Sequence, residues 1–313
     1  MIRVLIVSPV FNEEDVLPEF VQAINKLREE ISGTADIHLL LVDDGSTDAT
    51  LTKIRRLVST NPDWIFYLSF TSNFGYQAAL IAGLTNAGIW PDAIITMDSD
   101  LEHPIELVPE LIRKWRSEKV LVVNTIRRES VALGWKKRFF SKLFYQLARR
   151  LTQLDLQPGQ ADFRLWDARL LRSLQSYLPN VGSLRVFAAW LPVKKAVVNY
   201  DQNVLPNRKS RFTFKKNLQL AMIGIIRFSN LPLTSISILG AIGLLFTFLY
   251  ACFIGVKYWM GYSFPGWTSL VLTVTFMGCL QLISLGILAS YLKRLVFSKD
   301  LPLFIVEESK NAP

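Results

Sequence analysis

Three acidic residues alternate with other residues in the string M-D-S-D-L-E-H-P, at positions 98, 100 and 102. Carboxylates two residues apart in an extended segment can share a hard cation that keeps coordination positions open for water and phosphate oxygens, and Mg²⁺ and Mn²⁺ prefer such oxygen ligands. An Asp-x-Asp pair alone also occurs in many surface loops, but Glu102 adds a third oxygen ligand. The spacing therefore predicts that Asp98, Asp100 and Glu102 bind Mg²⁺ or Mn²⁺ together with a substrate diphosphate.

The acidic string follows one of several short apolar segments, rich in β-branched residues, that are typical of buried parallel strands. The stretches between these segments are predicted to be helices. Strand–helix alternation favours a doubly wound α/β sheet, whose ligands bind at the carboxyl ends of the strands. The predicted strands are Val4–Val7, Ile37–Val42, Ile65–Phe70, Ala93–Met97 and Val120–Val123, and the predicted helices are Glu14–Ile31, Asp48–Ser59, Gly75–Ala87 and Pro104–Ser117.

Polar and acidic residues also follow the first two predicted strands, in P-V-F-N-E after the first and D-D-G-S-T-D after the second. Because the carboxyl ends of parallel strands share one edge, these carboxylates lie there together with those at 98–102. Like charges at short distance repel one another, so this arrangement is unfavourable unless a cation is bound among them. No G-x-G-x-x-G follows the first strand and no G-x-x-x-x-G-K-[ST] occurs. Dinucleotide-binding and P-loop functions therefore lose their main support.

Five motifs occur in order along the chain: P-V-F-N-E, V-D-D-G-S-T-D-A-T, N-F-G-Y-Q-A-A-L-I-A-G-L, M-D-S-D-L-E-H-P and A-D-F-R-L. Together they resemble the polyprenyl-phosphate glycosyltransferases, which include bactoprenol glucosyltransferases and dolichol-phosphate mannose synthases. The resemblance covers roughly residues 3 to 235 and, with a two-helix anchor, extends to about 295. It implies a glycosyltransferase A-type (Rossmann-like) fold, and transfer of a sugar from a nucleotide-sugar donor to a lipid-linked phosphate with inversion.

The resemblance also implies roles for individual residues. Asp98 would bind the donor diphosphate as well as the metal, and Asp100 would act in catalysis. Arg127, after the fifth strand, and Arg164, in the A-D-F-R-L motif, match catalytic arginines of the family; the alternative for both is a solvated or ion-pair role. The residues expected to line the nucleotide pocket are Pro9, Phe11 and Glu13, with Asp43 and Asp44 binding the base and the ribose.

The sequence departs from the family pattern at three places. The family often has Gln where this chain has Glu102, and its Gly-x-Arg after the fifth strand reads T-I-R at 125–127. Its later loop, typically Arg-x-x-Gly-x-Ser-Lys, reads P-N-R-K-S-R at 206–211, so the glycine is absent and the arginine is displaced. The residues expected to hold the acceptor phosphate are Arg128, Lys137, Arg138, Lys209, Ser210 and Arg211.

Charge is divided unevenly along the 313 residues, which carry 35 Lys or Arg and 26 Asp or Glu, a formal net charge of +9. Residues 1–126 have a net charge of −8, and residues 127–227 have a net charge of +15. The basic segment predicts an anionic partner, either nucleic acid or membrane phosphates. The two cysteines, Cys252 and Cys279, cannot form a disulfide-rich module, and no Cys/His cluster has zinc-ligand spacing.

The last third of the chain favours membrane phosphates over nucleic acid. No charged residue occurs in the 29 positions between Arg227 and Lys257 or in the 35 positions between Lys257 and Lys293. Each gap exceeds the roughly 20 apolar residues that a transmembrane helix needs, and a buried hairpin in a globular core is the alternative. We therefore expect a two-helix transmembrane hairpin over 229–296, with both termini in the cytoplasm and the protein integral to a bacterial plasma membrane.

The flanking ranges follow from this hairpin. Residues 1–228 are expected to form the cytoplasmic glycosyltransferase domain and residues 297–313 a cytoplasmic tail, and the N-terminus has no signal peptide. Within the domain, aromatic and leucine residues recur at helical spacing over 135–151 with cations around them, which predicts an interfacial amphipathic helix. A second is expected at 214–228. A basic helix that faces the core is the alternative.

The sequence therefore predicts a metal-dependent enzyme that transfers one sugar to polyprenyl phosphate, whose ionised phosphate needs no strong base. His103 is accordingly expected to support the metal motif rather than to act as a base. UDP-glucose is the favoured donor and GDP-mannose the alternative. The Gln-x-x-Arg-Trp motif that processive polysaccharide synthases usually carry is absent from this sequence, which disfavours that class of enzyme. Intact Asp98 and Asp100 disfavour a non-catalytic nucleotide-binding scaffold. Small residues in the expected spans would permit a homo-oligomer.

Overall fold

The structure is a computed structural model that describes residues 1–127, 159–201 and 304–310, together with scattered positions between 249 and 292. The predicted interfacial helix at 214–228 and the predicted helix at 135–151 lie outside the described residues. The acceptor-phosphate residues expected at 128–138 and 209–211 also lie outside them, so both expectations stay predictions.

The chain divides into two compact units. The first consists of residues 1–149, 154–211 and 302–313, and the second of residues 150–153 and 212–301. Every element that positions the candidate site, as described below, belongs to the first unit.

The described residues of the first unit form one eight-stranded mixed sheet. Its strands are β1 (Ile2–Val10), β2 (Ala35–Asp43), β3 (Ile65–Phe70), β4 (Ala93–Thr96), β5 (Val122–Arg127), β6 (Gln160–Asp167), β7 (Lys195–Tyr200) and β8 (Val306–Lys310). They lie in the order β7-β5-β6-β4-β1-β2-β3-β8. β1 pairs in parallel with β2 and β4, and β2 with β3, whereas β6 runs antiparallel to β4 and β5.

Helices follow the strands and cover the sheet. α1 buries one apolar face at the three- and four-residue spacing of an amphipathic helix, and the central strands are buried on both faces. A 3₁₀ turn at Ile105–Leu107 leads into α4. The helices are α1 (Leu17–Glu30), α2 (Thr50–Thr60), α3 (Tyr76–Thr85), α4 (Val108–Glu118), α5 (Ala168–Ser173) and α6 (Leu184–Trp190).

Helix α3 approaches the sheet closely over β1 and β2. Every residue from Ala78 to Leu84 is buried. A Cβ atom built on Gly83 would lie 2.2 Å from Cγ1 of Val7 and 3.2 Å from Cγ2 of Val42. Glycine at this position therefore permits the approach, and the approach determines where the first turn of α3, which carries candidate site residues, is placed.

The predicted α/β fold is confirmed, and the five strands and four helices predicted between residues 4 and 123 each have a counterpart among the described elements. The sheet is mixed rather than wholly parallel, because β6 and β8 run antiparallel to their neighbours. β6 was not predicted, because its sequence Q-A-D-F-R-L-W-D contains no apolar run. Three of its charged residues are buried: Asp162, Arg164 and Asp167. A strand with this pattern does not read as a buried strand from periodicity alone.

Strand β8 returns the C-terminal segment to the sheet, within the range expected to be a tail. It pairs antiparallel with β3, and the ring of Phe304 stacks on Phe70 with centroids 5.2 Å apart. The guanidinium of Arg55 on α2 contacts the Glu308 carboxylate at 2.7 Å. The backbone groups on one side of β3 are thereby paired, which covers an otherwise open edge.

The expected two-helix transmembrane hairpin is contradicted by the structure. Over the residues that it describes, no helix is both long enough and apolar enough to cross a membrane. The prediction of two transmembrane helices was wrong on this finding, and so was the integral-membrane location derived from it.

Candidate active site

The carboxyl ends of β1, β2 and β4 meet at one edge of the sheet, as predicted. Val10 at the end of β1 is in register with Asp43 at the end of β2, and the backbone N–H of Asp44 donates to the Val10 carbonyl at 2.9 Å. The loop after β4 joins them, because the hydroxyl of Ser99 donates to the Pro9 carbonyl at 3.1 Å. The three predicted motifs therefore form one surface.

The loops after β1 and β2 are tied to each other by hydrogen bonds. Asn12, with a positive φ of 53°, accepts from the Thr47 backbone N–H at 2.9 Å, and its own N–H donates to the Ser46 hydroxyl at 3.0 Å. The Glu13 backbone N–H donates to the Thr50 hydroxyl at 3.0 Å. Of the residues expected to line the nucleotide pocket, Pro9 is buried, Glu13 is half-buried and Phe11 is exposed.

The two carboxylates at the end of β2 hold the neighbouring loops from inside. Asp43 is fully buried and accepts hydrogen bonds from the Ser69 hydroxyl at 2.9 Å and the Ser46 backbone N–H at 3.2 Å. Asp44 accepts from the backbone N–H groups of Phe74 and Gly75, at 2.8 and 3.0 Å, and so secures the loop that begins α3. Burial raises the pKa of Asp44, and these two hydrogen bonds offset only part of the rise.

Asp98 is held by two aromatic residues from different elements, one at its carboxylate and one at its backbone. The Tyr76 hydroxyl, on the first turn of α3, donates to Asp98 Oδ1. His103 Nδ1 lies 3.6 Å from Asp98 Oδ2 and accepts from the Asp98 backbone N–H at 3.3 Å. Burial raises the pKa of Asp98, against the opposing effects of His103 and Tyr76. His103 thus supports the acidic motif, as expected.

Asp100 and Glu102 belong to the same turn as Asp98. The Asp100 carboxylate accepts from the Glu102 backbone N–H at 3.0 Å, and Leu101 between them has a positive φ of 61°. Across the described part of the chain, no three His, Cys, Asp or Glu side chains are arranged so that they could hold a metal ion. The set Asp98, Asp100 and Glu102 therefore stays a prediction, although its oxygen donors suit a hard divalent cation.

A second group of polar side chains lies next to Asp98 and was not predicted, apart from Arg164. It centres on Asp162 of β6, whose carboxylate is buried. Its oxygen Oδ2 accepts from Gln77 of α3 at 3.3 Å and contacts the Arg185 guanidinium of α6 at 3.1 Å. Because Tyr76 and Gln77 are adjacent on α3, one helical turn holds both Asp98 and Asp162.

Arg164 lies inside the domain, below this group. Its side chain is fully buried, it donates to the carbonyls of Ala161 at 2.7 Å and Leu184 at 3.3 Å, and its guanidinium lies over the Trp166 ring. Burial lowers its pKa to about 10. Arg164 also lies 3.5 Å from the other oxygen of Asp162. This position favours the ion-pair role over direct contact with a substrate.

Arg127 ends β5 at the same edge of the sheet and is exposed. It is in register with Tyr200 of β7, and burial raises the pKa of the Tyr200 hydroxyl, while Arg127 opposes the rise. A Cβ on Gly159, where φ is 76°, would lie 2.4 Å from the Arg127 carbonyl, so a glycine allows β6 to begin here. Arg127 therefore supplies an exposed cation at the edge that carries the acidic motif.

Only one feature of the sequence could have pointed to Asp162, Gln77 and Arg185. Asp162 and Gln77 lie within two of the five motifs, and Asp162 is two residues before Arg164. Arg185 lies outside all five, in S-L-R-V-F, and looks like an ordinary surface arginine. Its contact with Asp162 depends on the packing of α6 against β6, which a one-dimensional pattern does not reveal.

Residues 5–174, more than half of the chain, match the family described as Glycosyl transferase family 2. The chain belongs to this family. The match takes in β1 to β6 together with Asp98, Asp162 and Arg164. The sheet edge that collects the acidic motif thus lies within the part of the chain that matches this family.

Relatives of this family 2 glycosyltransferase extend over almost its whole length. It is 32% identical to an uncharacterized glycosyltransferase of Synechocystis sp., over 98% of this chain and 95% of that protein. It is 30% identical to the bactoprenol glucosyl transferase of Shigella phage SfV, over 99% of both chains. Among solved structures, it is similar to glucosyl-3-phosphoglycerate synthase from Mycobacterium tuberculosis in complex with Mn²⁺ and UDP-glucose, at 20% identity and a TM-score of 0.45, over 72% of this chain and 77% of that one.

Proposed function

We propose that this chain transfers a single sugar from a nucleotide-sugar donor to the phosphate of a polyprenyl phosphate of the undecaprenyl type. UDP-glucose is the favoured donor, and the configuration at the anomeric carbon is inverted. The observation that carries this proposal is the likeness to the bactoprenol glucosyl transferase of phage SfV over 99% of both chains. The product is a lipid-linked monosaccharide.

The donor nucleotide would bind across the ends of β1 and β2. The exposed ring of Phe11 can stack on a base, an interaction that every nucleobase permits. Asp43 and Asp44 contribute from within, since they secure the loops on either side through backbone N–H groups. They therefore influence which base binds by fixing the shape of the pocket.

The donor diphosphate would lie over the acidic motif after β4. Asp98 and Asp100, with Glu102 beside them, are the residues that would hold Mg²⁺ or Mn²⁺. When bound, the ion neutralises charge on the departing nucleoside diphosphate. Tyr76 donates to the Asp98 carboxylate and His103 accepts from the Asp98 backbone N–H. Both contacts fix the position of Asp98, and a ligand that is held in place beforehand is preorganised for the ion.

The acceptor phosphate is itself the nucleophile. Because it is largely ionised near neutral pH, with a second pKa of about 6, it needs no strong base. The harder task is to bring two anions together, and this requires fixed positive groups at the site. Arg127, exposed at the end of β5, is one such group. Attack from the side opposite the leaving diphosphate inverts the anomeric carbon.

Transfer of radiolabelled sugar to a lipid extract tests the proposal. Purified protein is mixed with undecaprenyl phosphate, Mg²⁺ and one of a panel of labelled donors: UDP-glucose, UDP-GlcNAc, UDP-galactose and GDP-mannose. We expect label in the organic phase with UDP-glucose, and none when undecaprenyl phosphate is replaced by undecaprenol. The anomeric configuration of the sugar while it is still bonded to the lipid phosphate, compared with that in the donor, then tests inversion.

Other outcomes would contradict parts of the proposal. Label with GDP-mannose alone would contradict the donor assignment and leave the acceptor intact. Label in a long water-soluble polymer would indicate a processive synthase instead. Nucleotide binding without transfer from any donor in the panel would indicate a non-catalytic scaffold and would contradict the proposal as a whole.

A further inference from the structure

The side chain of Arg185 occupies a special position among the arginines near the site. Arg164 is fully buried and its guanidinium is enclosed by backbone carbonyls. The Arg185 side chain is 27% exposed, and its guanidinium contacts the buried carboxylate of Asp162 at 3.1 Å. The Arg185 side chain is therefore held by a buried carboxylate and is also partly exposed to solvent.

The backbone that carries Arg185 is fixed by two side chains from other elements. Leu184, the residue before it, donates its N–H to Gln77 Oε1 at 2.8 Å. The carbonyl of the same residue accepts from the Arg164 guanidinium at 3.3 Å. Both polar backbone groups of Leu184 are thus held, one by α3 and one by β6, so the start of α6 cannot shift without breaking them.

The Arg185 guanidinium lies near the groups proposed to hold the donor. Gln77 contacts the same Asp162 oxygen as Arg185 does, and the adjacent Tyr76 contacts Asp98. The positive charge of Arg185 acts on the hydroxyls of both Tyr76 and Tyr200, while the negative charge of Asp98 acts on both in the opposite direction. Arg185 and Asp98 are therefore linked through the first turn of α3, where Gln77 contacts the carboxylate that holds Arg185 and Tyr76 contacts Asp98.

We infer that Arg185 is a phosphate-binding residue of this active site, and that Asp162, Gln77 and Arg164 are positioning residues that hold it. The inference rests on the proposed function, because it assigns the group that receives a substrate phosphate. A guanidinium presents a planar set of donors that matches phosphate oxygens, and one held in place by packing and hydrogen bonds is preorganised for that contact. The phosphate is that of the donor diphosphate or that of the acceptor.

Binding of UDP and of uridine to the full-length protein separates phosphate contact from a general structural role. The variants are Arg185→Gln, which removes the charge, and Arg185→Lys, which keeps it without the planar fork. The matched control is Arg169→Gln, which removes an arginine that pairs with Asp167 at the other end of β6 and is 77% exposed. Titration calorimetry measures the dissociation constants, and circular dichroism the thermal midpoint.

We expect the dissociation constant of UDP to rise about tenfold or more in Arg185→Gln, as for loss of a hydrogen bond to a charged group, while that of uridine stays unchanged. Arg185→Lys should lie between this variant and the wild type, and Arg169→Gln should match the wild type. If UDP binding is unchanged but the KM for undecaprenyl phosphate rises tenfold, the phosphate is that of the acceptor and the inference also stands.

Equal weakening of UDP and uridine, or no change in UDP binding and in both KM values, would overturn the inference. In either case Arg185 would be part of the packing of α6 only. The two proposals fail separately. A wild-type protein that transfers no sugar contradicts the proposed function, whereas an active wild type matched by Arg185→Gln contradicts only the role of Arg185.

Discussion

The hydroxyl of Tyr76 donates a hydrogen bond to the carboxylate of Asp98, and this bond joins the first turn of α3 to the loop after β4. The two residues are 22 positions apart and belong to different motifs. The bond exists because Gly83 lets α3 lie close against β1 and β2, which brings its first turn to the sheet edge. One packing contact in the core thus determines how a proposed metal ligand is oriented.

Removal of this hydroxyl should impair catalysis more than folding. In Tyr76→Phe, Asp98 loses a donor, and a hydrogen bond to a charged group is worth about 1.5–3 kcal/mol. We expect kcat to fall about tenfold, with the folded state retained and the thermal midpoint lowered by about 2–4 °C for each kcal/mol of stability lost. Tyr177→Phe, which alters an exposed tyrosine outside the site, is the control. Equal kcat in the two variants would show that the Tyr76–Asp98 bond has no catalytic role.

Neutralisation of the second acidic residue tests the proposed metal site. Asp100→Asn keeps the size of the side chain and removes one charge, and loss of a comparable electrostatic group lowers rates by roughly 10²–10³-fold. We expect this loss in the lipid-extraction assay, with unchanged circular dichroism. Glu106→Gln, at an exposed position six residues further on, should retain activity. Turnover by Asp100→Asn close to that of the wild type at saturating Mg²⁺ would contradict the metal assignment.

Enlargement of Gly83 should destabilise the protein. A Cβ there would meet Val7 Cγ1 at 2.2 Å, and overpacking in a core typically costs about 1–3 kcal/mol. Urea unfolding followed by fluorescence should show this loss for Gly83→Ala. Gly33→Ala is the matched control, because no atom lies within 4 Å of its added Cβ. Equal stability of the two variants would mean that α3 can move away from β1 at little cost.

The buried carboxylate of Asp167 should make stability depend on pH. It accepts hydrogen bonds from Trp115 Nε1 at 3.0 Å and from the Arg169 backbone N–H at 2.9 Å, and so caps α5. Burial raises the pKa of Asp167, but the hydrogen bonds from Arg169 and Trp115 outweigh this effect, so the folded-state pKa lies below the ordinary value of an aspartate. The resulting stabilisation is present above the unfolded-state pKa of about 3.9 and is lost as the pH falls through the lower folded-state pKa.

Asp167→Asn tests this dependence, because it keeps a capping oxygen and removes the charge. We expect it to lower the free energy of unfolding by about 1 kcal/mol at pH 7, because the hydrogen bonds from Trp115 and Arg169 lose the charge of their acceptor. The difference from the wild type should shrink as the pH falls from 5 towards 3. Urea unfolding at several pH values measures it, with Asp63→Asn in an exposed turn as the control. A difference that stays constant with pH would show that the charge of Asp167 contributes nothing.

Local sequence signals determined the parallel half of the sheet. The runs at Val4–Val7 and Ile37–Val42 are apolar on both faces, and a strand buried on both sides requires that composition wherever it lies in the fold. The position of the acidic motif after β4 followed from the same logic, because ligands of open α/β sheets bind at the carboxyl ends of the strands. The expected transmembrane hairpin rested on composition alone, and over the described residues no helix is both long enough and apolar enough to cross a membrane.

The sequence by itself thus determined the fold class, the family and the edge of the sheet at which the site forms, because these depend on residue type and on spacing along the chain. Only the tertiary structure decided how Arg164 and Arg185 are placed near that edge. Arg164 lies in a recognised motif yet is buried, whereas Arg185 lies in none and reaches the surface. The difference arises from long-range contacts, Gln77 to Leu184 and Arg185 to Asp162, which join residues 107 and 23 positions apart and leave no periodic trace in the sequence.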